Sequence, residues 1–136
     1  MRRIGERLAK LGCFVCLVIL MGACSSPTRE ELASLAAKGY YDHLIRGEYE
    51  QFLEGKDILA ISDDASYRSQ LLENYRRFMA AQQSSHRGIR EVRIVRAKTD
   101  SLQAYTNVFL TLCFGDSTNE EIVVPMVEKE GRWRMR

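Results

Sequence analysis

The hydrophobic period of this chain changes at Gly88, and that change constrains the fold more than any single motif. Before Gly88 apolar residues recur every three or four positions; after it they alternate. Thr28 followed by Glu31 fits a capping box, in which hydroxyl and carboxylate satisfy each other's free amides at a helix start. Leu32, Leu35, Ala36, Tyr40, His43 and Leu44 then recur at helical spacing, which predicts one apolar stripe on a helix that Gly47 closes. A second, short helix is predicted over 48–54, with Tyr49, Phe52 and Leu53 inward and Gly55 ending it. Ile58, Leu59 and Ile61 fit either a short strand or a helical turn. Ser62, Asp63 and Asp64 offer caps for a third helix. Its predicted buried face is Tyr67, Leu71, Tyr75, Phe78 and Met79, running to about Gln83 before Ser84–Gly88 breaks it.

From Ile89 on, the pattern is that of strands. Residues 89–97 form the first, with Val92 and Ile94 on one face, and Thr99-Asp100-Ser101 turns the chain. In a long second strand, Ala104, Thr106, Val108, Leu110, Leu112 and Phe114 alternate with Tyr105, Asn107, Phe109, Thr111 and Cys113. Ile122, Val124 and Met126 mark a third, and Glu130-Gly131 makes a tight hairpin into residues 132–136. Helices followed by consecutive strands on short turns predict an α+β fold, N-terminal helices packed on an antiparallel meander. Pro125 cannot donate to a ladder, so it belongs at a bulge or on an unpaired side. A long second strand with apolar residues on both faces predicts a curved sheet that wraps the helices.

The residues before Thr28 read as an address. Arg2, Arg3, Arg7 and Lys10 precede an apolar run from Leu11 to Met21. A retained membrane helix needs about 20 apolar residues, so this run reads as a cleaved signal over 1–23. Leu20-Met21-Gly22-Ala23-Cys24 resembles the lipobox of bacterial lipoproteins, with Met21 in place of the commoner leucine. The resemblance implies a diacylglyceryl (palmitate-type) lipid on Cys24, a tether over 24–28, and a folded domain over 29–136. It also implies a lipid-anchored place in the cell envelope, with the outer membrane favoured where there are two membranes.

The formal net charge of +2 belongs to this leader. Residues 1–23 hold four basic groups and one acid, which leaves 16 basic against 17 acidic groups, a net of −1. That balance makes no case for nucleic acid as a partner. Cys13 and Cys16 form a C-x-x-C that leaves with the apolar run, and Cys113 reads as a buried filler. Arg87, Arg90, Arg93, Arg96, Lys98, Arg132, Arg134 and Arg136 read as charge along a solvated sheet edge that discourages strand pairing.

Two segments carry a family resemblance. Tyr40-Tyr41-Asp42-His43-Leu44-Ile45-Arg46-Gly47-Glu48-Tyr49 resembles the entry of nuclear transport factor 2-like domains, and the stretch from Val123 to Arg134, with Gly131-Arg132-Trp133-Arg134, resembles their final hairpin. The whole is similar to small uncharacterised lipoproteins of Bacteroidetes in that superfamily. The resemblance implies a cone of helices facing a curved sheet, often with a pocket between, and in many relatives a homodimer through the sheet. Some relatives are enzymes of the ketosteroid isomerase-like or polyketide cyclase-like type, with an acid or histidine and tyrosines in the cone.

The candidate lining of such a pocket is Tyr40, His43, Tyr75, Tyr105, Phe109 and Trp133. His43 is either a general base or, the plainer reading, a half-buried helix histidine beside Leu44. No catalytic residue, metal-ligand spacing, phosphate loop or serine elbow stands out, and no cofactor is implied. The expected role is a membrane-anchored, non-catalytic module for a small apolar ligand or an envelope protein. The alternative is a small-molecule isomerase or hydrolase with His43 and the tyrosines as working groups.

Overall fold

The computed structural model describes residues 25–58 and 64–136. Cys24, the leader, and Leu59, Ile61, Ser62 and Asp63 lie outside the described residues.

Helix α1 spans Arg29–Ile45 and starts at the expected capping box: the Glu31 amide donates to Thr28 Oγ1 at 3.2 Å, and the Thr28 amide to Glu31 Oε2 at 3.3 Å. Gly47, at φ 75°, turns the chain after it. The buried stripe differs from the predicted one. Ala33, Ser34, Ala37 and Leu44 are buried, whereas Leu32 and Leu35 are exposed. Small side chains let the helix axis lie close to the sheet, and that closeness turns the larger leucines outward.

Helix α2 (Tyr49–Glu54) buries Phe52 and Leu53. Helix α3 spans Ala65–His86, capped by Asp64, whose Oδ1 accepts the Ser66 and Tyr67 amides. It runs three residues past the expected end at Gln83 and stops where Arg87 and Gly88 take left-handed backbone. Its expected inward face is half-buried: Leu71, Tyr75 and Met79 are partly covered, the last two packed against the core, whereas Tyr67 and Phe78 are 44% and 43% exposed and no residue of α3 is fully buried.

Four strands follow, β1 (Ile89–Asp100), β2 (Tyr105–Phe114), β3 (Asn119–Lys129) and β4 (Arg132–Met135), all antiparallel in the order β1-β2-β3-β4. Two irregularities in the β1–β2 register, at Ile89/Glu91 and Ile94/Arg96, bend the sheet. β1 continues through Thr99 and Asp100, so the turn falls on Ser101–Ala104 instead. Asp100 Oδ1 accepts the amides of Leu102 and Gln103, and this fixes the turn just beyond it. Glu130 and Gly131 both have positive φ, as a two-residue hairpin requires. Pro125 is at no bulge: it stands opposite Asn107 in the regular β2–β3 register, and on its other side its carbonyl accepts the Arg136 amide just past β4.

The core lies between α1 and the inner sheet face. Val92, Val108, Leu110, Leu112, Phe114, Val124, Met126 and Met135 meet Ala33, Ala37, Leu44 and Phe52 there. Gly55–Asp57 adds a short parallel bridge beyond β4, through Asp57 N to Met135 O and Met135 N to Gly55 O.

Candidate functional site

α3 leans over the sheet without closing on it, and the gap is a half-open cleft of about 540 Å³. That volume falls within the ~300–1,000 Å³ usual for small-ligand sites. Its floor is an edge-to-face run of aromatics. Tyr41 of α1 meets Phe52 of α2 at 5.4 Å, and Phe52 meets Tyr75 of α3 at 5.0 Å. Phe78 forms the rim, and Leu112 and Ile122 the sheet wall. Burial raises the Tyr41 and Tyr75 hydroxyls above the usual tyrosine value, each helped by a neighbouring tyrosine, so both are neutral hydrogen-bonding groups near pH 7.

One cation lines this apolar space. Lys56 bridges beside Met135 and lays its ammonium 5.2 Å from the centre of the Phe52 ring. Among the described residues no carboxylate lies within ion-pair distance of it. Burial alone lowers its pKa below the usual lysine value, because the charged form has lost water without gaining a partner. On its other side Lys56 faces a smaller depression of about 220 Å³ edged by Arg68, Arg132 and Arg134. Glu120 is the acidic residue of the cleft lining, and no group of His, Cys, Asp and Glu among the described residues is arranged to hold a metal ion.

Of the residues expected to line a pocket, only Tyr75 stands on the cleft wall. Tyr40 instead fills the seam between α1 and β4: its hydroxyl donates to Trp133 O at 2.7 Å, and its ring lies where a side chain on Gly55 would sit. Trp133 is buried in that seam under the Arg29 guanidinium, 4.8 Å from the ring centre. Tyr105 and Phe109 are on the outer sheet face, because they alternate with the buried Thr106, Val108 and Leu110. Arg136 covers Tyr105 and Arg96 covers Phe109, at 4.4 and 3.9 Å. His43 sits at the α1–α2 turn, 3.4 Å from Glu48 Oε1 and 3.2 Å from Arg46 Nη2. Arg46 pairs with the same carboxylate and holds Glu48 below the usual value. The histidine is thus the half-buried helix histidine of the plainer reading, in the last turn of α1, and does not line the cleft. Cys113 is a buried free thiol.

The cleft walls that sequence reasoning missed are Lys56 and Phe78; Tyr41 is among its amphipathic candidates for the cone but not in the lining it selects. Phe78 was expected inside a filled core; Tyr41 follows from the stripe shift that brings Ala33 and Ala37 inward. Lys56 carried no signal, since its placement depends on a bridge to Met135, far away in sequence.

The architecture is that of the nuclear transport factor 2-like α+β fold. No family model and no curated protein matches the chain. Among solved structures, it is similar to an NTF2-like protein from Campylobacter jejuni named as a candidate transpeptidase, with a TM-score of 0.56 and 14% identity over 73% of this chain and 92% of that one. At that identity the likeness bears on the fold alone.

Proposed function

We propose that this protein is a lipid-anchored envelope protein, held through Cys24, whose domain binds a small amphipathic molecule without transforming it. The ligand is an apolar chain or ring carrying one anionic group. The observation that carries this reading is the pairing of an aromatic-floored cleft with the lone, partly desolvated ammonium of Lys56. A carboxylate seated there regains for Lys56 the Coulombic partner that the described residues do not supply, while the ligand's apolar body displaces water from Phe78, Leu112 and Ile122. The lipobox supports the anchor, and the four-residue stretch Ser25–Thr28 keeps the domain near the bilayer.

The isomerase or hydrolase reading requires an acid–base group poised inside the cleft. Among the described residues the ionisable groups there are Lys56, Glu120, Tyr41 and Tyr75, with His43 elsewhere. Nothing in that set pairs a base with an orienting partner, so binding is the reading favoured.

Decanoate, a probe with one carboxylate and a flexible apolar tail, tests the ligand class by titration calorimetry and by chemical shifts at Tyr75 and Phe78. Binding should disappear in Phe78→Asp and weaken about tenfold in Lys56→Met, the loss of one partly exposed charge-assisted contact. Failure of decanoate and of an uncharged analogue such as decanol to shift the cleft resonances overturns the reading. Mass spectrometry of protein extracted from membranes tests the anchor separately, through the mass of a lipidated Cys24.

A further inference from the structure

The turn between β1 and β2 presents Leu102 at 95% exposure, the most exposed large apolar side chain described. The turn is built rather than loose. Asp100 holds the Leu102 and Gln103 amides, and Ala104 takes a left-handed φ of 57° to re-enter β2. This geometry holds the leucine outward with no protein surface to cover it.

The same end of the domain receives the anchor. Thr99 Oγ1, three residues before Leu102, donates to Glu30 Oε1 at 2.6 Å, and Arg29 pairs with Glu128 at 3.1 Å. These contacts pin the start of α1 beside the β1–β2 and β3–β4 turns. Between Cys24 and Arg29 the chain spans at most about 18 Å even fully extended. The tether therefore brings the Leu102 end, not the β2–β3 turn at the opposite end, to the lipid surface. Exposed Lys98 and Arg132 flank this end alongside Asp100 and Glu130, a mixed set suited to a headgroup region rather than to strong attraction by anionic lipid.

We infer that Leu102 is a second, non-covalent membrane contact: resting on the lipid-anchor reading, it seats the domain tip-down on the bilayer that holds Cys24. One apolar side chain is too weak to recruit a protein by itself. Behind a covalent anchor its insertion becomes intramolecular, and it sets orientation instead of affinity. In that posture the parts of β2 and β3 that wall the cleft, Leu112, Glu120 and Ile122, lie at the far end of their strands from the bilayer.

The test uses the full lipidated protein in phosphatidylethanolamine–phosphatidylglycerol vesicles. An environment-sensitive fluorophore is placed in turn at Leu102→Cys, Ser117→Cys and Leu35→Cys. Cys113 is buried and a lipidated Cys24 has no free thiol, so only the introduced thiol reacts. The label at 102 should shift to the blue and be quenched by lipids spin-labelled near the headgroup, while labels at 117 and 35 stay water-like. Mass spectrometry on the same sample reports lipid on Cys24. Lipid present with a water-like label at 102, or with label 35 quenched in its place, overturns the tip-down contact and leaves the anchor standing. Absence of lipid on Cys24 overturns the anchor and this contact with it.

Discussion

Among the described residues, two long helices face the same sheet and meet it differently. α1 is clamped: Ala33 and Ala37 are 0% exposed, and Tyr40 reaches across to the backbone at Trp133. α3 is longer, richer in aromatics, and has no buried residue. Small residues allow backbone approach and dense contact, whereas the bulkier Tyr75 and Phe78 line the gap beneath α3. The open volume beneath α3 is therefore the counterpart of the tight seam beneath α1. One seam supplies stability, and the other leaves room for a ligand.

Paired substitutions put this contrast to the test. Ala37→Leu forces a larger side chain into the closed seam and should cost about 3 kcal/mol, the upper end of typical overpacking. Ala80→Leu, the same change on exposed α3, should stay within about 0.5 kcal/mol. Urea unfolding of both reads the difference directly; equal costs would break the comparison.

Phe78→Ala comes next. Truncation of a buried phenylalanine costs about 3–5 kcal/mol, but Phe78 is 43% exposed, so about 1 kcal/mol is expected. Decanoate binding should fall much more steeply than stability does. A smaller effect, of opposite sign, is expected at Lys56. Its pKa is lowered in the folded state, so the ammonium opposes folding at neutral pH, and that penalty fades as pH rises through the lowered value toward the ordinary 10.5. Lys56→Met should raise stability by about 0.5 kcal/mol near pH 7, with the advantage shrinking in alkali. Thermal melts from pH 6 to pH 10 follow it.

The strands were legible because alternation has a period of two, and a shift by one residue would turn Val108, Leu110 and Leu112 to water. The capping box at Thr28 and the Glu130-Gly131 hairpin were legible because each is a local hydrogen-bonding pattern. The α1 stripe was not, because alanine and leucine both count as apolar at helical spacing, and only the sheet decides which lies nearer. The placement of Phe109 failed for a related reason. An aromatic in a two-faced strand has no sequence mark for its face, and here Arg96 supplies an outer-face partner drawn from another strand. The cleft was legible only as a family expectation, since its walls come from three helices and two strands and its cation from a bridge segment.

Besides the packing of Tyr75 and Met79, α3 has a polar latch at its C-terminal end. The Asp116 amide donates to His86 O at 2.9 Å, and Asp116 Oδ2 lies 3.0 Å from His86 Nδ1. The His86 ring rests on Phe114 at 4.6 Å, and Gly115 lies so close to Arg87 that a Cβ would sit 2.3 Å from its carbonyl oxygen. The Thr118 hydroxyl first, then the Thr118 amide and His86, hold the Asp116 carboxyl down to about 2 from its ordinary 3.8. A depressed carboxylate stabilises the fold above its unfolded value, and that contribution is lost as pH falls from about 4 through about 2. Amide hydrogen exchange should therefore show the Asp116 and Gly115 amides opening progressively across that window in the wild type, ahead of the amides of α1. In Asp116→Asn the same amides should exchange faster at neutral pH and change little across the window. If α3 opens no sooner than α1 as the carboxylate is protonated, the latch is not what holds it, and the contrast between the two helices must rest on packing alone.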